Sequence, residues 1–147
     1  MEYTVKVDVY GDVRYYKPGT DILHREDGPA MEYTNGHKAW YKEGKLHRED
    51  GPAVEYIDGA KSWFINDKRH REDGPAIIHA DGTKAWYKEG MLHREDGPAM
   101  ECPDGRKHWY IEDKALSEEE FENRTKEAKV RTFMVPKGTT QIRIQLE

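Results

Sequence analysis

The sequence predicts a mainly-β protein: an elongated antiparallel sheet of successive hairpin repeats with a C-terminal helix-plus-strand cap. Three observations carry this expectation. The heptad His-Arg-Glu-Asp-Gly-Pro-Ala begins at His24, His47, His70 and His93, 23 residues apart each time. Trp40, Trp63, Trp86 and Trp109 keep the same interval, as do Gly36, Gly59, Gly82 and Gly105. Between these turn letters no stretch is long enough for an ordinary helix, and self-similarity at a fixed period of this size marks a repeat architecture.

Each element follows from local chemistry. In one unit, Asp50-Gly51-Pro52 reads as a turn, because Gly tolerates positive φ and Pro fixes its own. Ala53-Val54-Glu55-Tyr56 reads as a short strand. Asp58-Gly59, like Asn35-Gly36 a unit earlier, reads as a two-residue hairpin turn, and Lys61-Ser62-Trp63-Phe64 as the returning strand. Asn66-Asp67 marks a further turn, where other units carry Glu43-Gly44, Glu89-Gly90 and Glu112-Asp113. A short extended segment then leads into the next heptad.

The whole chain, 1–147, reads as a single repeat domain. Residues 1–23 form an N-terminal cap strand and a degenerate repeat, with Tyr3, Val5, Val7 and Val9 on one face of the strand. Residues 24–116 hold four repeats. Residues 117–147 form the cap: Ser117-Glu118-Glu119-Glu120 is a capping box, with Leu116 and Phe121 placed as a hydrophobic staple. A helix is expected from about Glu118 to about Ala128, followed by strands at Arg131–Val135 and Gln141–Leu146 around a Pro136-Lys137-Gly138 turn.

Composition excludes several function classes. Apolar residues make up 35% and charged residues 36%, lean for a two-layer core, while 4 Trp and 9 Tyr are too many for a disordered chain. The net charge of −5 comes from interleaved signs, so no basic footprint for nucleic acid stands out. Cys102 is the only cysteine, which suits a reducing, cytoplasmic setting. No secretory signal and no apolar run of about 20 residues is visible, so no membrane span is expected.

The string Trp86-Tyr87-Lys88-Glu89-Gly90-Met91-Leu92-His93, with Asp81-Gly82 before it and Gly97 after it, resembles the MORN repeat. Tyr87, Gly90 and His93 match that family's aromatic-x-x-Gly-x-x-His core, whereas Arg94 stands where a Gly usually follows. The variant is similar to repeat-bearing accessory proteins of tailed bacteriophages and to bacterial MORN-variant proteins. The resemblance implies a twisted sheet of hairpins and a scaffolding or binding role. It further suggests a host protein as target, in the host cytoplasm if phage-encoded, with inhibition of a defence or regulatory factor as the outcome.

The expected function is therefore non-catalytic protein binding, with no cofactor. Nucleotide sequestration and a structural or self-associating scaffold are the alternatives. Catalytic residues are expected to be none, because a catalytic pair normally occupies unlike environments and here every candidate recurs. His24, His47, His70 and His93 form a structural ladder with Arg25, Arg48, Arg71 and Arg94. The histidines cannot share a metal, since equivalent residues lie about 9–15 Å apart when strands are about 4.8 Å apart. Ligand distances to zinc are about 2 Å. Trp40, Trp63, Trp86 and Trp109 read either as a binding stripe flanked by lysines or as a core covered by lysine stems. Lys38 and Lys42 flank Trp40 and Lys84 and Lys88 flank Trp86, while Ile65 and Ile111 interrupt the pattern. A distinctive binding site must use what changes between units: Tyr33, Tyr56, Ile78, His79 and His108.

Overall fold

The structure, a computed structural model, describes residues 2–132. It is mainly β, as expected: one long antiparallel sheet of 11 strands built from successive hairpins, followed by one helix. Strands β1 (Thr4–Val7) and β2 (Val13–Tyr16) open it. The first full unit supplies β3 (Met31–Glu32), β4 (Lys38–Ala39), β5 (Tyr41–Lys42) and β6 (Lys45–Leu46). The second supplies β7 (Val54–Glu55), β8 (Lys61–Ser62), β9 (Phe64–Ile65) and β10 (Lys68–Arg69). The third supplies β11 (Ile77–Ile78), β12 (Lys84–Ala85), β13 (Tyr87–Lys88) and β14 (Met91–Leu92). The last has β15 (Met100–Glu101), β16 (Lys107–Ile111) and β17 (Lys114–Leu116), and α1 (Glu118–Thr132) closes the described chain.

Each unit thus makes two hairpins rather than one hairpin and a return segment. The first of each unit lies in the long sheet; β5–β6, β9–β10 and β13–β14 form separate two-stranded ladders. The two turns differ in kind, and not in the way the letters suggest. At Asn35-Gly36 only the glycine has positive φ (90°), and its N–H donates to the Tyr33 carbonyl. This is a type I turn followed by a left-handed glycine, not a two-residue turn. Asn35, Asp58, Asp81 and Asp104 are fixed there by another bond: each side-chain oxygen accepts the N–H two residues on, at 2.8–3.0 Å. The true two-residue turns are Glu43-Gly44, Asn66-Asp67, Glu89-Gly90 and Glu112-Asp113, where both residues have positive φ.

The core is thin and built of small side chains. Ala30, Ala53, Ala76 and Ala99, the last letter of each heptad, are fully buried, and Ala39, Ser62, Ala85 and Ile77 are buried beside them. The tryptophans are half-buried, so they wall the sheet rather than fill it. Small buried residues explain how a chain with so few apolar side chains folds: the backbones of adjacent hairpins approach closely, and dispersion contact substitutes for bulk.

At the C-terminal end the capping box forms as read. The Ser117 hydroxyl accepts the Glu120 N–H at 3.1 Å, and the Glu120 carboxylate accepts the Ser117 N–H at 2.8 Å. The helix runs through Thr132, so the expected strand at Arg131 is corrected at its first two residues, Arg131 and Thr132. No Gly or Pro interrupts α1, and Lys126, Glu127, Ala128 and Lys129 are good helix formers that carry it past Ala128. The remainder of that expected strand, and the one with Ile142, Ile144 and Leu146, lie outside the described residues. Among the described residues no helix is long and apolar enough to cross a membrane.

Candidate functional site

The heptad is a joint between units. In each copy the arginine guanidinium stacks on the aromatic ring of the preceding hairpin: Arg48 on Trp40 at 4.0 Å, Arg71 on Trp63 at 4.2 Å and Arg94 on Trp86 at 4.0 Å. Arg25 does the same on Tyr15 at 3.9 Å, which identifies residues around Tyr15 as a degenerate unit. Each Nε donates to the aspartate two residues on, at 2.7–2.8 Å, and each Nη1 to the proline carbonyl four residues on. The guanidinium bond holds the Asp27, Asp50 and Asp73 carboxyls below the ordinary aspartate value. On the far side of the guanidinium lies the heptad glycine. A Cβ at Gly51 would fall 2.9 Å from the Arg48 Cζ, and at Gly97 3.1 Å from that of Arg94. None of these four glycines has positive φ. The expectation of a left-handed turn glycine is therefore corrected: the residue is small because a guanidinium lies against it.

The histidines are the second joint. The Nδ1 of His24, His70 and His93 accepts the backbone N–H of Glu43, Glu89 and Glu112, at 3.1–3.3 Å, and His47 does so for Asn66. These N–H groups open the strained two-residue turns of the following hairpin. The second turn residue is tied in the same direction, as when Gly44 N–H donates to the Leu23 carbonyl and Asp67 N–H to that of Leu46. The other ring nitrogen faces the glutamate two residues on, at 2.8 Å for His70–Glu72. Backbone strain of this kind persists only where surroundings over-determine it, and here each histidine supplies part of that.

Between successive heptads run three open grooves of about 700, 760 and 660 Å³. Their walls are the Arg-Glu-Asp turns of consecutive units, and the Trp and the residue two positions after it lie between: Trp40 with Lys42, Trp63 with Ile65, Trp86 with Lys88. The expected symmetric lysine flanking is therefore corrected. Strand alternation breaks at Trp40, between β4 and β5, so Lys38 sits in the long sheet opposite Glu32 and Glu55. The cation on the ring is arginine. Trp109 pairs with Leu116 across β16 and β17, and Ser117 stands where the arginine of a fifth heptad would fall.

The variable positions fall in separate places. Tyr33 and Tyr56 are brought together through His37, which meets them edge to face at 6.3 and 5.4 Å. Ile57 beside them is 69% exposed, its Cδ1 lying 2.9 Å from where a Gly36 Cβ would stand. His37 was not singled out from sequence, although its equivalents Ala60, Thr83 and Arg106 differ too. His79 is exposed at the next bend. Ile78 lies apart, in the row Glu32, Lys38, Glu55, Lys61, Ile78, Lys84, Glu101, Lys107 across the long sheet. It replaces a glutamate that in the other units bonds the heptad arginine, at 2.7, 3.3 and 2.9 Å. Among the described residues Arg71 keeps one carboxylate partner, Asp73. His108 is exposed in the column that buries Ala39, Ser62 and Ala85, because no further unit covers it. Compared with models of known protein families and with characterised proteins, the chain matches none.

Proposed function

We propose that the chain is a non-catalytic repeat module that binds a partner protein. The observation that carries this is the use made of its reactive side chains: in every heptad the His bonds the turn of the following hairpin, and the Arg stacks on the preceding hairpin's ring while bonding the heptad's own Asp. Groups held alike in four environments do not acquire the unlike proton affinities that acid–base catalysis needs. What differs between units is surface, and the Tyr33, His37, Tyr56 and Ile57 patch has the aromatic, amphipathic character of an interface anchor. The resemblance to phage accessory proteins makes a bacterial defence or regulatory protein the first partner class to test, with inhibition as the consequence. Nucleotide sequestration is disfavoured: each groove carries the glutamate and aspartate of two heptads, as with Glu49, Asp50, Glu72 and Asp73, and its arginines are already engaged.

Self-association is the second reading. It is favoured by strand β1, which among the described residues has β2 as its one sheet partner and whose Val5 and Val7 are 51% and 63% exposed. Immobilised chain should retain a defined protein from bacterial lysate, and a variant carrying Tyr33→Ala, Tyr56→Ala and Ile57→Ala should lose it. A turnover activity abolished by one heptad substitution, with its counterparts dispensable, would refute the proposal.

A further inference from the structure

The third heptad arginine lacks a partner that its counterparts have. Arg25, Arg48 and Arg94 each donate from Nη1 to the glutamate seven residues on, Glu32, Glu55 and Glu101, at 2.7, 3.3 and 2.9 Å. At the same distance from Arg71 stands Ile78, whose side chain has no acceptor. The Arg71 guanidinium is otherwise held like the others: it stacks on Trp63 and bonds Asp73 and the Pro75 carbonyl. Its side chain is 24% exposed, so a ligand can reach it. The same change breaks the charge row of the long sheet. Elsewhere glutamate and lysine alternate across the strands, but Lys61 and Lys84 flank Ile78 with no glutamate between them. Both lysines are exposed, and neither makes an ion pair among the described residues.

We infer that Arg71, at the Ile78 position, binds a carboxylate of a partner protein, an aspartate or glutamate that takes the place the chain's own glutamate holds in the other three units. This rests on the protein-binding reading above and gives the partner a charge. The three sibling joints show which chemistry fits: a carboxylate on Nη1, with a lysine on the strand beside it. A charge-assisted bond to a guanidinium is stronger than a neutral one. Directly opposed residues on one sheet face lie about 4.5–5.5 Å apart. Lys61 and Lys84 therefore both reach an anion over Ile78 and favour a segment with more than one acidic residue. The chain's own carboxylates nearby are engaged: Asp73 with Arg71 Nε, Glu72 with His70, Glu55 with Arg48 and Glu101 with Arg94. In the other units the glutamate already fills the place and excludes the same ligand.

The probe is a hexaglutamate peptide, titrated into the full chain at low ionic strength, with hexaglutamine as control. Binding is followed by ¹⁵N shifts of the arginine Nε–Hε groups and the backbone amides. Saturable shifts are expected at Arg71, Lys61, Ile78 and Lys84, with Arg25, Arg48 and Arg94 unmoved. Ile78→Glu restores the residue of the other units, so the fold accommodates it. It should weaken binding by roughly tenfold or more, given the strength of a hydrogen bond to a charged group. Added negative charge alone would do part of that. The swap of Ile78→Glu with Glu55→Ile keeps the net charge and should move the shifts from Arg71 to Arg48. No saturable binding, shifts spread evenly over the four arginines, or a swap that leaves them at Arg71 would overturn the inference. So would inorganic phosphate shifting Arg71 at lower concentration than the peptide, because the ligand would then be a phosphorylated group. A chain that captures a protein through the Tyr33 patch yet leaves Arg71 unmoved by the peptide overturns this inference alone. Peptide binding at Arg71 by a chain that captures nothing supports the site and counts against the Tyr33 patch.

Discussion

Replacing Gly51 with alanine tests the heptad joint directly. The added methyl would lie 2.9 Å from the Arg48 Cζ and 3.1 Å from its Nε and Nη2. A guanidinium is the end of a flexible side chain and ordinarily yields. Here it cannot retreat, because the Trp40 ring lies 4.0 Å away on its other side. Arg48 must leave the stack. The lost cation–π contact costs about 1–2 kcal/mol, and the lost bond to the Pro52 carbonyl about 1 kcal/mol. Alanine returns about 0.5–1 kcal/mol by restricting the unfolded chain. The net loss is about 1–2.5 kcal/mol, or a Tm lower by roughly 2–10 °C for a domain of this size. Thermal and urea unfolding followed by circular dichroism would measure it. The decisive comparison is Gly51→Ala in an Arg48→Ala background, where the methyl meets no guanidinium and should be neutral or stabilising by about 0.5 kcal/mol. Equal cost in both backgrounds would refute the account. Gly59→Ala is the contrast: φ is 87° with nothing within 4 Å, so it should cost about 1 kcal/mol whether or not Arg48 is present.

Other outcomes follow from the same geometry. His70→Ala removes the acceptor of the Glu89 N–H and should cost about 1–2 kcal/mol, with amide exchange at Glu89 accelerating more than in the first unit. Stability should be level above the ordinary aspartate value and fall on acidification, since the Asp27, Asp50 and Asp73 carboxyls are depressed in the fold. Their contribution is complete above the unfolded value and is lost as pH drops through the folded one. Melting curves from pH 6 downward would show this arm, and Arg71→Ala should flatten it. Deleting residues 117–147 uncovers Ile111 and should leave the repeats folded but more self-associated than the full chain by light scattering; a truncated chain equally stable and no more associated would show that the tail is no cap. Ser117→Ala should destabilise α1 by about 1 kcal/mol, measured as local amide exchange in the helix.

The period, the turn positions and the capping box are legible because each is a local preference written in one or two letters. The joints are not. Arg48 and Trp40 are both invariant across units, yet letters that never change show only that they are fixed, not what they touch. The heptad glycine misleads for the same reason: beside Pro it reads as a left-handed turn, and only the approach of Arg48 to within 2.9 Å of its missing Cβ reveals the steric cause. Glu43 and Glu112 at positive φ were equally hidden, because a β-unfavourable conformation at glutamate becomes tolerable only through a histidine 19 residues earlier. Variation between units points to Tyr33 and Tyr56, which the fold brings together through His37. Applied to every column, it would also have found His37, whose equivalents are Ala60, Thr83 and Arg106.

The histidine tie gives the array a direction. Each strained turn takes its hydrogen-bond acceptors from residues about twenty positions earlier and gives its own to the unit that follows. A unit leaving the ribosome therefore meets an acceptor that is already in place, whereas one without a predecessor has none. A copy added or removed in the middle leaves every tie intact, because the donor of any unit fits the acceptor of any other. The number of units is thus free to change by duplication, while the first unit must keep a surrogate predecessor such as the Tyr15 hairpin, and the last must end in something other than a histidine. Leu116 stands at that place, and the helix begins directly after it.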